Sequence, residues 1–121
     1  MTILLLITLL FIKHFIVDFP LQKEYQWKNK GTYGHFGGIL HAGTHGIFTL
    51  LILLYFTSDT TLLWLAYVDF WLHYHIDWAK MNLNKKLGYT PTNSEGFWIL
   101  LGVDQLLHAL TYILITGVVL L

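Results

Sequence analysis

The chain has 121 residues, enough for one domain, with 55% hydrophobic and only 12% charged residues, where a soluble domain carries roughly 25% charge. With a mean hydropathy of +0.57, it falls in the membrane class. Net charge is zero and all seven cationic residues are lysines, so no large basic surface exists for a nucleic-acid backbone; with no cysteine, disulfides, thiolate nucleophiles and thiolate metal sites are excluded.

The first segment runs from about Thr2 to Phe19. It lacks the basic stretch that opens a signal peptide, and no small-residue cleavage pattern follows, so it reads as a retained helix. Lys13, His14 and Asp18 are its only ionisable residues, and Pro20 biases Phe19 out of the helical region. A loop from Gln22 to Phe36, with Gly31 and Gly34, leads to a second segment at residues 37–56. There Gly37, Gly38, Gly43 and Gly46 allow another helix to approach closely. The connection Thr57-Ser58-Asp59-Thr60 is tight, which makes the second and third segments antiparallel neighbours. The third is expected at residues 61–79, fraying on toward Leu87. A turn-rich stretch from Gly88 to Glu95 offers Asn93 or Ser94 as an N-cap for the fourth, at residues 96–121. Each segment has about the 17–25 residues that cross a hydrocarbon core. The expected fold is all-α: one transmembrane domain over residues 1–121, an integral membrane four-helix bundle.

The lysines orient it. Lys23, Lys28 and Lys30 lie between the first two segments, and Lys80, Lys85 and Lys86 follow the third. By the positive-inside rule both stretches face the cytoplasm and both termini face outward. Trp27, Trp71, Trp78 and Trp98 suit an aromatic belt, and Lys13 and Lys80 are expected to snorkel to the cytoplasmic surface. Lys80 has the alternative of meeting an anionic substrate.

Every segment carries ionisable residues spaced i, i+4: His14/Asp18, His41/His45, His73/Asp77 and Asp104/His108. In the third, Asp69 lies a further turn back, and at roughly 100° per residue Asp69, His73 and Asp77 share one face. All four pairs lie toward the cytoplasmic ends, so antiparallel helices would present them in one layer. The order also resembles a duplication of a helix hairpin: His14 and Asp18 align with His73 and Asp77, and His41 and His45 with Asp104 and His108. Such a repeat has its pseudo-two-fold axis along the membrane normal. Asp69 has no counterpart, since Leu10 occupies the matching position. A lone intramembrane histidine is often only a helix contact, and His–Asp pairing could offset burial without any metal, but ionisable residues within a bilayer mark function by default. His35 and Asp59 read as solvated, and His75 as interfacial.

The ordered motifs His14-x-x-x-Asp18-Phe19-x-x-Gln22, His41 with His45, His73-x-x-Ile76-Asp77-x-x-Lys80 and Asp104-Gln105-x-x-His108 resemble a family of small bacterial and phage membrane proteins of unknown function. It is domain-of-unknown-function family thirty-three-oh-seven, and the resemblance covers nearly the whole chain. It implies a multi-pass protein of the bacterial inner membrane. More distantly, His41-Ala-Gly-Thr-His45 and His73-x-x-x-Asp77 look like motifs of membrane-bound metal-dependent hydrolases, whose own His-Gly-Thr-His motif is spaced differently. That likeness implies hydrolysis by analogy.

The donor set is nitrogen and oxygen only, which suits zinc, or iron or manganese where carboxylates dominate. Eight donors exceed the needs of one tetrahedral zinc, so two ions are an open alternative. The expected ligands are His14, Asp18, His41, His45, His73, Asp77, Asp104 and His108. Asp69 is the expected general base or bridging carboxylate, with Gln22 and Gln105 supporting the ligands. The function expected is metal-dependent hydrolysis of a lipid or other amphipathic phosphate or ester, at a site open to the cytoplasmic side. A metal-ion or proton-coupled transporter is the alternative, set back by the apolar outer half of every segment; a phage-type accessory or pore-forming peptide would not require four ordered pairs. Partners are the lipid bilayer and a lipid substrate, with no nucleic acid; association with further copies of the chain stays open.

Overall fold

The computed structural model describes residues 2–120, which form five α-helices and no strand: α1 (Thr2–Asp18), α2 (Glu24–Asn29), α3 (Phe36–Phe56), α4 (Thr61–Leu87) and α5 (Glu95–Leu120). The fold is all-helical, as expected; Leu121, the last residue expected in the fourth segment, lies outside the described residues. Helix α2 falls inside the stretch read as a loop. Its six residues are too few and too polar to show an apolar period, and the Gln26 side chain holds its first turn by accepting the Lys23 N–H at 2.8 Å. Helix α4 runs on past residue 79 because nothing before Gly88 stops it. Gly88 adopts the left-handed conformation at φ 69°, and the Tyr89 N–H donates to the Asn84 carbonyl at 2.9 Å, closing the helix in the usual glycine manner.

Polar side chains hold the first turns of α3, α5 and α4. His35 Nδ1 accepts the Gly37 N–H at 3.0 Å at the start of α3, and the Ser94 hydroxyl accepts the Gly96 N–H at 3.0 Å at the start of α5. Asp59 accepts both the N–H and the hydroxyl of Thr61 at 2.9 Å; these two donors hold its carboxyl below the usual carboxylate range.

Helix α3 packs against α1, α2 and α4, and α5 packs against α4 and α1. The four long helices thus close a ring in the order α1–α3–α4–α5, with α1 diagonal to α4 and α3 diagonal to α5. Gly46 sets the α3–α4 approach: a Cβ there would lie 3.0 Å from the Ala66 carbonyl oxygen and 3.1 Å from Phe70 Cβ.

The polarity of the ring is inverted. Leu4, Phe15, Ile47, Tyr55, Trp64, Ile99 and Ile113 are each more than half exposed, while Lys13, Asp18, His41, His45, Asp69, His73, Asp77, Asp104 and His108 are buried. The apolar core is small and sits at one end, where Leu6, Leu10, Leu53, Leu62, Leu65 and Ile115 meet. Among the described residues two helices, α3 and α5, are long and apolar enough to cross a membrane.

Candidate metal centre

Each helix aims a polar stripe at the ring's axis because residues four apart share a face. The stripes are one turn longer than the pairs alone: His41-His45-Thr49 on α3, Asp69-His73-Asp77 on α4 and Asp104-His108-Tyr112 on α5, with Lys13, His14 and Asp18 on α1. Two tiers result. Next to the apolar core, the Lys13 ammonium donates to Asp69 Oδ2 at 2.7 Å and to the Tyr112 hydroxyl at 3.2 Å, and Thr49 donates to the same Asp69 oxygen at 2.6 Å. Beyond this tier the imidazoles and the remaining carboxylates converge.

Two groups in that second tier could hold a metal ion: Asp18, His41, His45 and His73, and then His73, Asp77 and His108. In the first, Asp18 Oδ1 lies 3.1 Å from His41 Nε2 and 3.5 Å from His73 Nε2, and the two nitrogens are 3.2 Å apart. Metal–ligand bonds of about 2.0–2.1 Å at tetrahedral angles put neighbouring ligand atoms roughly 3.3 Å apart, the spacing of this triangle. Protons alone serve it less well. Only one nitrogen of the His41–His73 contact can donate to the other, and Nδ1 of each ring is buried with no partner. His45 differs. Its Nε2 is 3.0 Å from Asp18 Oδ1 in hydrogen-bond geometry, while its Nδ1 faces the Lys13 ammonium at 3.2 Å. An ammonium can only donate, so His45 accepts at Nδ1 and carries its proton on Nε2.

In the second group His108 Nε2 lies 3.6 Å from both Asp77 Oδ1 and Asp104 Oδ1. All three atoms are buried and without hydrogen-bond partners, and the gaps are too long for hydrogen bonds. Orphaned buried acceptors are rare because each forfeits about 1–3 kcal/mol of hydration; a cation among them would satisfy all three. Asp77 Oδ2 lies 3.3 Å from His41 Nε2 and 3.4 Å from His73 Nε2, so the two groups are contiguous.

The rim carries the other cations. Lys30, at the end of α2, donates to Asp77 Oδ2 at 2.9 Å; its burial opposes the charge, but Asp77, with Asp18 and Asp104 further off, raises its pKa above the ordinary lysine value. Lys80 donates to Asp104 Oδ2 at 3.2 Å. Gln105 spans the halves, accepting from or facing His14 Nε2 at 3.0 Å and donating to Asp104 Oδ2 at 3.1 Å.

Of the eight expected ligands, seven therefore lie in the two groups or border them, while His14 turns to Gln105, to Asp18 Oδ2 at 3.1 Å and to the Tyr112 hydroxyl at 2.8 Å. Asp69 belongs to neither group, being held by Lys13 and Thr49. Gln22 donates to the Asp18 carbonyl at the end of α1. Lys13 does not snorkel: it is 3% exposed, because Asp69 lies within its reach on the inner face. Lys30, Thr49 and Tyr112 join the cluster without having been singled out; the last two were visible as continuations of their i, i+4 stripes.

No curated protein and no solved structure matches the chain. Residues 6–121 match the family described as a protein of unknown function (DUF3307), and the chain belongs to that family.

Proposed function

We propose that the protein is a membrane-embedded, metal-dependent hydrolase acting on a lipid phosphate or carboxylate ester. The observation that carries this reading is the triangle of Asp18 Oδ1, His41 Nε2 and His73 Nε2 at ligand spacing, buried inside a bundle whose outer surface is apolar. In this reading all four long helices span the bilayer of a bacterial inner membrane, the apolar core faces outward with both termini, and the exposed lysines Lys23, Lys28, Lys85 and Lys86 face the cytoplasm. The 27 residues of α4 measure about 40 Å, longer than a hydrocarbon core of roughly 30 Å, so its Lys85–Lys86 end reaches water. The ring order supports a duplicated hairpin, because diagonal helices, α1 with α4 and α3 with α5, are those a central two-fold axis would exchange.

Three protein ligands with an open fourth position are the pattern of catalytic zinc sites, and Asp18, His41 and His73 supply three. Zinc suits the donors, with iron or manganese as substitutes. A divalent ion held there would supply Lewis acidity and lower the pKa of a water toward about 7. The residues do the rest. Asp104, whose free Oδ1 faces the second group, takes the proton of the attacking water as the new bond to phosphorus or carbonyl carbon forms. His45, whose Nε2 proton rests against Asp18 Oδ1, gives that proton to the departing oxygen as the ester bond breaks, while Lys13 passes an ammonium proton to its Nδ1 and keeps the ring neutral. Asp69, the base expected from the sequence, serves here as the counter-charge that keeps Lys13 an ammonium.

The assignment separates His45 from the ligands. In detergent-purified protein, His45→Ala should keep its metal and lose ester turnover by roughly 10²–10⁴-fold, the usual contribution of a positioned proton donor, whereas His41→Ala should lose both. Loss of metal from His45→Ala with full retention by His41→Ala would contradict it.

A second reading rests on the hydrogen-bonded run Asp69–Lys13–His45–Asp18, which leads from the apolar core to the centre as an ion or proton path would. Proton or metal flux into liposomes without turnover of any ester would favour that carrier.

A further inference from the structure

A groove of about 310 Å³ opens sideways between α4 and α5, within the range of small-ligand sites, roughly 300–1,000 Å³. Its walls are apolar: Leu72, Ile76, Ala79, Leu83, Val103 and Leu107 line it. Its polar lining residues are His75, Lys80 and Asp104, and Asp104 Oδ1, buried and without a partner, is 3.6 Å from His108 Nε2 of the second donor group. The groove therefore joins the apolar outer surface, where Leu83, Val103 and Leu107 are exposed, to the polar centre.

Its charge selects the occupant. Three ammonium groups, Lys13, Lys30 and Lys80, face four carboxylates, Asp18, Asp69, Asp77 and Asp104. A divalent ion held by the donor groups would add positive charge to this balance, and Lys80 stands where the groove meets it.

On the reading of the site as a membrane metal centre, we propose that the groove binds one acyl chain of a membrane phospholipid and delivers its phosphate to Lys80 beside the second donor group. The chain enters laterally from the bilayer, so it never crosses water. The Lys80 ammonium donates to a phosphate oxygen, and Asp104 remains free on its Oδ1 side.

Native mass spectrometry of the detergent-purified protein tests this, with phosphatidic acid and phosphatidylcholine of matched chains as probes and metal content measured on the same samples. Phosphatidic acid should bind at one per chain. Ala79→Trp and Val103→Trp, which fill the groove from its exposed wall, should each weaken it by roughly tenfold or more, while Leu54→Trp on a remote face should not. Lys80→Gln should remove the preference for phosphatidic acid over phosphatidylcholine, and inorganic phosphate should not compete. Wild-type lipid binding by both groove variants, with melting temperatures unchanged, would overturn the proposal, as would equal binding of the two lipids by the wild type. Lipid binding lost on groove filling in a protein that holds no metal would sustain the groove and remove the metal centre.

Discussion

Lys13 is a cation held wholly inside the bundle. Its ammonium is 2.7 Å from the Asp69 carboxylate, and both side chains are essentially excluded from the surface. Removing one partner of a buried pair leaves an uncompensated charge and typically costs about 3–5 kcal/mol, whereas replacing both with apolar groups of similar volume is often neutral. Lys13→Met alone should therefore destabilise the protein by about 3–5 kcal/mol, and Lys13→Met with Asp69→Leu should recover most of that loss, read from unfolding curves in detergent. Failure of the second substitution to rescue the first would mean that the pair is not a closed unit. Lys30 and Asp77 form a similar pair at 2.9 Å, but there Asp77 also faces the donor groups, so rescue by an apolar pair would be incomplete and metal would be lost with it.

At the scale of helices, the close α3–α4 seam depends on Gly46. A leucine there would drive its side chain into the Ala66 carbonyl and Phe70; overpacking of this kind costs roughly 1–3 kcal/mol. Gly43, on the same helix, has open space around its Cβ position, so Gly43→Leu should leave the melting temperature unchanged while Gly46→Leu lowers it. Equal effects at the two positions would show that the seam is not tightly packed. The same contrast marks what was legible before the fold. Long apolar runs announce α1, α3, α4 and α5, because hydropathy is a local property, and the i, i+4 pairs announce the inward stripes for the same reason. Helix α2 was hidden by its brevity. The Lys30–Asp77 pair was hidden by distance along the chain, 47 residues: lysines in a connecting stretch read as surface charges, and only the packing of α2 on α3 turns Lys30 inward. Asp69 stood out as lacking a counterpart, but its partner, Lys13, lay on a helix read as sending its lysine to the surface.

For the whole molecule, the inversion of polarity is the governing fact. A bundle with isoleucine, leucine and tryptophan outside and aspartate, histidine and lysine inside would expose far more apolar surface than water tolerates, and in hydrocarbon it must satisfy its interior charges internally. Lys13, Lys30 and Lys80 pair with Asp69, Asp77 and Asp104; a cation at Asp18 would complement the fourth carboxylate, and one beside His108 the unpartnered atoms on Asp77, Asp104 and His108. In the proposed reading one divalent ion sits at Asp18, His41 and His73, and a second joins beside His108 when an anionic substrate binds. His73 touches both groups. The direct test is metal analysis of the detergent-purified wild type beside a well-folded His73→Ala variant. The account predicts close to one divalent ion per wild-type chain, with nitrogen and oxygen ligands at about 2.0–2.1 Å by X-ray absorption, and none in His73→Ala; a folded, metal-free wild type that takes up no zinc, iron or manganese on addition would contradict it.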